Sequence, residues 1–295
     1  MIPSLQHAFT RLRQYFSPLG PTDWDRHKIK DEWFGAHFNY AADVVAEWIG
    51  ISHLASGPLL DFGCGDGITL LSLILQHQVP LTLGVDISRT HEGLAQLAKN
   101  ELGLNRLPHQ LHFQKIQAGE QLPTRQRFAS IFSWSTFEHI SRDQMPGILS
   151  NLHELLTDDG LLFIQINPLY YSPMGSHLGR FGLPPWAHLS WSAEQVKDAV
   201  MQFKGQIPAE ELEENFLTRS EADYKSFVLS EYDALNRINC DELQALLLEQ
   251  GFEIVRQQRC EVASEPPADL LSSFSREHMK TEELRILLRR KPHLA

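Results

Sequence analysis

Three glycines at alternate positions follow an acid in Asp61-Phe62-Gly63-Cys64-Gly65-Asp66-Gly67. Leu59-Leu60 precedes them, and a second apolar run, Ile68-Thr69-Leu70-Leu71-Ser72-Leu73-Ile74-Leu75, follows. The first run reads as a strand and the second as a helix. The glycines then form a tight turn whose backbone N–H groups face a ligand at a helix N-terminus. Lacking Cβ atoms, they admit close approach and unusual dihedrals. Further on, Leu83-Gly84-Val85-Asp86-Ile87 is a short apolar strand ending in an acid. A carboxylate there can accept hydrogen bonds from both ribose hydroxyls, so a nucleoside-bearing cofactor is implied. The spacing Gly-x-Gly-x-Gly departs from the Gly-x-Gly-x-x-Gly of a simple dinucleotide fingerprint, which argues against a nicotinamide oxidoreductase.

A second set of residues has the chemistry of proton transfer. An imidazole with a pKa of about 6.5 can take a hydroxyl proton near neutrality. His139 follows Ser133-Trp134-Ser135-Thr136-Phe137-Glu138, while His177 and His188 sit in an aromatic, proline-rich stretch further on. These three are the candidate bases. Glu138 can orient a histidine or accept from a substrate hydroxyl. His37 lies on an apolar helical stripe and reads as a packed histidine. Tyr170, Tyr171 and Trp186 offer flat apolar faces with polar edges, which suit stacking on a sugar or ring, or simply a packed core. No metal site is assigned. Asp158-Asp159-Gly160 reads as a helix-to-strand turn, Asp143 stands alone, and histidines suit a transition metal better than Mg²⁺. Cys64, Cys240 and Cys260 are far apart and form no ligand pair.

The elements that must position these groups alternate along the chain. Strands are predicted over 59–62, 81–86, 111–116, 128–133 and 160–167, with helices over 67–77, 90–102 and 143–156. Such a rhythm gives a parallel sheet with helices on both faces, whose ligand site lies at the carboxyl ends of the strands. The glycine loop and Asp86 both fall there. Ahead of it, residues 1–54 form an N-terminal helical segment or lid, with a loop marked by Pro18 and Pro21. Trp33, Phe34, His37, Phe38, Ala41, Val44, Val45 and Trp48 then give an apolar stripe at helical spacing.

The core of the cofactor domain spans 55–167. Residues 168–238 interrupt the rhythm with predicted helices over 192–204 and 219–236, and read as an inserted substrate cap. The acidic run Glu210-Glu211-Leu212-Glu213-Glu214 within them reads as a solvated face. The core resumes over 239–295: a helix from Cys240 ended by Gly251, a strand from Phe252, and a last strand from Leu284 to Pro292.

The 295 residues carry a formal net charge of −11. That balance opposes a broad grip on nucleic acid, which needs Lys and Arg against phosphates. Arg289-Arg290-Lys291 is too short a run to reverse it. The N-terminus lacks the pattern of a signal peptide. No apolar run approaches the ~20 residues that span a bilayer. A cytoplasmic protein with a small-molecule acceptor, and no nucleic-acid or membrane partner, is expected. Oligomeric state is left open.

The two strand–acid segments resemble motifs I and II of class I S-adenosylmethionine-dependent methyltransferases. The likeness covers roughly 55–167 and 240–292 and is nearest the small-molecule, type 11-like branch. It implies a Rossmann-like, seven-stranded, mostly parallel sheet whose last strand is antiparallel. It also implies that the loop holds the methionine part of the cofactor through Asp61, Phe62, Gly63, Cys64, Gly65 and Gly67, with Asp61 near the amino group. Asp86 then takes the ribose and Ile87 packs on the adenine. Relatives carry an Asp near position 118, where this chain has Ala118; Gln117 or backbone alone must serve the adenine.

Phe137-Glu138-His139-Ile140 resembles the Leu-Glu-His-Val segment of the small-molecule branch, which places Ser133 and Trp134 beside the sulfonium. The Asn/Asp-Pro-Pro-aromatic motif of amide and ring N-methylation is missing after strand four; Asn167-Pro168-Leu169 follows strand five. Pro173-x-Gly-x-His177 and Pro185-Trp186-x-His188 resemble segments of methyltransferases associated with polysaccharide genes. The resemblance thus implies O-methylation of a small molecule such as a sugar or glycan precursor. N- or C-methylation of another metabolite, or a cofactor-binding subunit without chemistry, are the alternatives.

Overall fold

The computed structural model describes residues 28–208, 212–214 and 217–291. Pro18, Pro21, Glu210, Glu211 and Pro292 lie outside the described residues. The chain divides into two compact units, one ending at Lys115 and one beginning at Ile116.

The first unit opens on α1 (Glu32–Gly35), a π-helical turn (Ala36–Ala41), α2 (Ala42–Ile49) and the single turn α3 (Ile51–Leu54). Asp31 caps α1 by accepting the Phe34 N–H at 2.7 Å. The apolar stripe predicted from Trp33 to Trp48 is not continuous. A π turn carries an extra residue and shifts the register of what precedes it. Phe34 and Phe38 are fully buried, whereas Trp33 is 64% exposed. The carbonyl of Phe38 accepts from α4: Ser72 Oγ and Gln76 Nε2 donate to it at 2.5 and 3.2 Å.

Strands β1 (Leu59–Phe62), β2 (Thr82–Asp86) and β3 (Leu111–Lys115) pair in parallel in the order β3-β2-β1. Between them run α4 (Ile68–His77), buried from Ile68 through Ile74, and α5 (Leu94–Leu102). Phe34 and Phe38 pack with Ile68, Leu71, Leu94 and Ala98 into one core.

The second unit contains β4 (Phe128–Trp134), α6 (Met145–Leu155) and β5 (Leu156–Ile166), with β4 and β5 parallel. Asp158 and Asp159 lie inside β5, not in a turn before it. The chain continues through α7 (Ala187–Ser190), α8 (Ala193–Gln202), the two-residue strands β6 (Glu213–Glu214) and β7 (Leu217–Thr218), and α9 (Glu221–Ala234). Then come α10 (Cys240–Glu249), β8 (Phe252–Glu261), α11 (Arg276–Lys280) and β9 (Thr281–Arg290). Strand β9 lies antiparallel between β5 and β8, with Ile286 opposite Ile164 on one side and Gln257 on the other. The fold is the expected α/β class: a seven-stranded, mostly parallel sheet with its last strand antiparallel, flanked by helices.

Residues 168–238 bring a hydrophobic core of their own, in which Tyr170, Phe181, Val196, Val200, Tyr224 and Tyr232 are buried together. Ser192 and Asn239 close reciprocal capping boxes at the starts of α8 and α10. Among the described residues no helix is long and apolar enough to cross a membrane.

Candidate active site

In the first unit the glycine loop is tied to the end of β2. Gly63 and Cys64 donate their N–H groups to the Val85 carbonyl at 2.8 and 3.0 Å. Gly65 donates to Asp86 Oδ2 at 2.9 Å, and Ser88 donates to Asp86 Oδ1 at 2.7 Å. Asp86 therefore holds the loop as well as presenting a carboxylate. Its two oxygens have about four lone-pair positions, and two remain for ribose hydroxyls.

The glycines have different reasons. Gly65 has φ +51°, and a Cβ added there would meet nothing within 4 Å. At Gly67, φ is +78° and a Cβ would stand 2.4 Å from the Phe113 ring. Gly65 thus borders open space, while Gly67 is set by packing.

Asp61 is 3% exposed, and its Oδ1 has no hydrogen-bond partner. Burial raises its pKa well above the ordinary carboxylate value, and the Asp86 and Asp66 carboxylates push it further. Three acids, Asp61, Asp66 and Asp86, thus converge on one loop. Burial and the same acids raise the Cys64 thiol, so Cys64 is a small packed residue and not a nucleophile. Ile87 is 58% exposed, an apolar surface at the end of β2.

Asp66 has a role that spacing alone does not reveal. Its Oδ1 accepts the Ile68 N–H at 2.9 Å, and its Oδ2 accepts the indole N–H of Trp33 at 2.7 Å. The N-terminal helical segment reaches the glycine loop through this contact. Nearby, the His91 ring stacks on Phe113 at 4.5 Å, and burial lowers its pKa.

The second unit holds the other expected residues. Gln117 and Ala118 are exposed in a turn, where Gln117 N–H donates to Glu120 Oε2 at 2.8 Å. Ser133 is fully buried and Trp134 half-buried at the end of β4. Ser135, at φ +46°, donates its N–H and hydroxyl to Gln165 Oε1; Gln165 in turn donates to Glu283, which pairs with Arg285. This buried network anchors the chain as it leaves β4.

Beyond it, Phe137–His139 forms a 3-10 turn. Asn236 clamps that turn: its amide donates to the carbonyls of Phe137 and Ile140 at 2.5 and 2.8 Å. Glu138 is 4% exposed, neither carboxylate oxygen has a partner, and burial raises its pKa to about 8.

His139 and His177 meet edge to face, with ring centroids 5.3 Å apart. Although its side chain is 36% exposed, partial desolvation by the surrounding protein holds the His139 imidazole below its ordinary pKa, against the opposing pull of Glu231, whose carboxylate is 4.0 Å from Nδ1. His177 is lowered to about 4, mainly by burial and then by His139. Both rings are therefore neutral near pH 7, the form that accepts a proton. His188 is placed differently. It is 7% exposed, and its Nε2 lies 2.6 Å from the Tyr170 carbonyl.

Tyr170 and Trp186 are also packing groups. Tyr170 is buried in the core of 168–238, and Trp186, 3% exposed, donates its indole N–H to the Met279 carbonyl at 3.2 Å. Large aromatic rings next to prolines had two outlets, a ligand or a core, and these two rings went to the core. Tyr171 stays half-buried.

The profile of a methyltransferase domain matches residues 34–257, well over half of the chain. The chain belongs to the methyltransferase-domain family. It is an S-adenosylmethionine-dependent methyltransferase, and S-adenosylmethionine is its cofactor. An uncharacterized protein of Rickettsia prowazekii (strain Madrid E) is 25% identical over 116 residues, covering 39% of this chain and 45% of that protein. This methyltransferase thus matches less than half the length of that relative. Among solved structures, the 4+2 cyclase SpnF is similar at 14% identity and TM-score 0.51, over 92% of this chain and 86% of that one. A methyltransferase from Clostridium acetobutylicum ATCC 824 is similar at 13% identity and TM-score 0.49, over 98% and 100%. The likeness to SpnF shows the fold alone, and a cyclase on the same fold illustrates that fold does not dictate reaction.

The first unit of this methyltransferase suits that cofactor. The sulfonium and ammonium of S-adenosylmethionine are cations, and the loop offers three acids, one with an orphaned buried oxygen. The open space at Gly65 admits a ligand backbone without displacing a side chain.

Proposed function

We propose that this methyltransferase methylates a hydroxyl oxygen of a small molecule, such as a sugar or glycan precursor. The observation that carries the reading is the His139–His177 pair, two neutral imidazoles side by side, one from the turn after β4 and one from the loop after β5. A hydroxyl acceptor must lose a proton as it attacks, and a neutral imidazole is the side chain suited to take it near pH 7.

Roles in cofactor binding follow from the same argument. The Gly63–Gly67 loop and Phe62 hold the methionine part. Asp61 faces its ammonium. Asp86 accepts from the ribose, Ile87 covers the adenine, and Gln117 with Ala118 borders it. Ser133 and Trp134 flank the methyl group. When bound, S-adenosylmethionine supplies an activated methyl group on a sulfonium. The chain's work is to align the acceptor oxygen with it and to receive the proton; alignment of this kind is worth up to roughly 7–11 kcal/mol. Of Tyr170, Tyr171 and Trp186, Tyr171 is the one left half-buried, and it takes the acceptor contact.

The test is a mass-spectrometric screen of sugars and hydroxyl-bearing metabolites, incubated with enzyme and S-adenosylmethionine, for the gain of one CH₂. A product methylated on oxygen is expected, with turnover falling at least ~100-fold in His139→Ala or His177→Ala. Methylation found on nitrogen or carbon alone would overturn the reading, as would full turnover in both variants.

A further inference from the structure

Glu138, His139 and His177 come from a 3-10 turn and from a loop almost forty residues later, yet each offers one ligand atom and these atoms all lie within 4.8 Å of one another. The burial of this group is unusual. Glu138 is 4% exposed with both oxygens unpartnered, so a carboxyl group has been taken out of water with only its own backbone N–H opposing the cost. His177 Nε2 is also buried without a partner, while its ring is hydrogen-bonded to the Pro168 carbonyl. A ring held by a carbonyl, with its Nε2 unpartnered and a ligand atom close to a carboxyl group, is the arrangement of a metal-bound histidine and its supporting group. Glu231 lies 4.0 Å from His139 Nδ1, a charged neighbour of the second ring.

The space fits an ion. A cavity of about 10 Å³ lies against Glu138 and His177, with His139 outside its lining; it is the size of one water or ion and too small for an organic ligand. Arg237 lines it too, but its guanidinium sits over the Tyr170 ring at 5.1 Å. His177 and Arg237 both hold left-handed backbones, φ +60° and +56°, so their places are enforced against local preference.

We propose that Glu138, His139 and His177 bind one divalent transition-metal ion of the Zn²⁺ or Co²⁺ type. Two imidazoles and one carboxylate suit such ions better than Mg²⁺ or Ca²⁺, which favour all-oxygen shells. Three protein ligands leave a coordination position open, and exposed His139 puts that position at the rim. The site deepens the O-methylation reading. With the ion bound, the rings act as ligands, the acceptor hydroxyl takes the open position, and its lowered pKa lets the proton leave to solvent. Without the ion, the same rings take the proton themselves, so loss of this proposal leaves the earlier one standing.

The full chain, stripped with chelator and freed of it, is titrated with Co²⁺ and then Zn²⁺ in the absence of cofactor and acceptor. Visible absorption bands saturating at one Co²⁺ per chain, and abolished by Zn²⁺, are expected. His139→Ala, His177→Ala and Glu138→Gln should each weaken binding at least ten-fold, while His112→Ala, an exposed histidine on β3, should not. No stoichiometric binding would overturn the proposal, as would affinity unchanged in the His139 and His177 variants. Should the buried Glu138→Gln variant fail to fold, rim-exposed His139→Ala decides the matter, with circular dichroism reporting its fold.

Discussion

Replacing Asp61 with Asn should make the cofactor-free protein more stable and the cofactor bind less well. Asp61 is 3% exposed and its Oδ1 has no partner. An unsatisfied buried polar atom costs about 1–3 kcal/mol, and a charged one more. The carboxylates of Asp86 and Asp66 add repulsion. Asparagine removes the charge at nearly constant volume, so a gain of roughly 1–3 kcal/mol is expected near pH 8.

The pH dependence has a definite sign. The folded pKa of Asp61 is raised, so its contribution is fully present below the unfolded pKa of about 3.9 and is lost as pH rises through the folded value. The variant does not titrate there, and its advantage should shrink as pH falls. Cofactor narrows the gap. At one hundred times its Kd, S-adenosylmethionine adds about 2.7 kcal/mol to the wild type. A ten-fold weaker variant at the same concentration gains only about 1.4 kcal/mol. Urea denaturation at pH 5 and pH 8, with and without cofactor, measures all four quantities. A variant less stable than wild type at pH 8, or one gaining equally from cofactor, would refute the reasoning.

Gly67→Ala should destabilise by about 2–4 kcal/mol, since the new Cβ meets the Phe113 ring at 2.4 Å on a backbone at φ +78°. In a Phe113→Leu background the clash is relieved and about 1–2 kcal/mol of backbone cost should remain, as denaturant midpoints of the double-mutant cycle will show. His188 is held down to about 4 by burial, with Arg237 nearby adding to the effect and the Tyr170 carbonyl opposing it. Its stabilising share is present above the unfolded pKa of about 6.5 and is lost as pH falls from there to about 4, a loss of roughly 3 kcal/mol. His188→Gln should flatten the acid limb of the stability profile in chelated protein, leaving the part due to His177; an unchanged slope counts against the assignment.

Much of the fold was legible because its signals are local. Alternating apolar runs mark β1, β2 and β4 to within a residue, since burial of strand and helix faces imposes those periods. Gly251, at φ +83°, ends α10 as expected of a glycine after a helix. Where the local signal was ambiguous, the reading missed. The stripe from Trp33 to Trp48 had helical spacing, but a π turn rotated Trp33 out of it. Asp158 and Asp159 had turn composition, yet they lie within β5, where its register against β4 shifts between Leu156 and Leu161.

By itself, the order of residues determined the cofactor loop. Glycine spacing, a strand before and a helix after are matters of neighbours along the chain, and Asp86 follows one crossover later. What tertiary structure alone decided is how remote groups meet. It gave Asp86 a second task in holding Gly65, drew Trp33 onto Asp66, and sent Tyr170, Trp186 and His188 into packing. It also gathered Glu138, His139 and His177 beneath a clamp made by Asn236. Contacts across such separations are selected by burial and hydrogen-bond satisfaction in three dimensions, and no periodicity in the sequence records them.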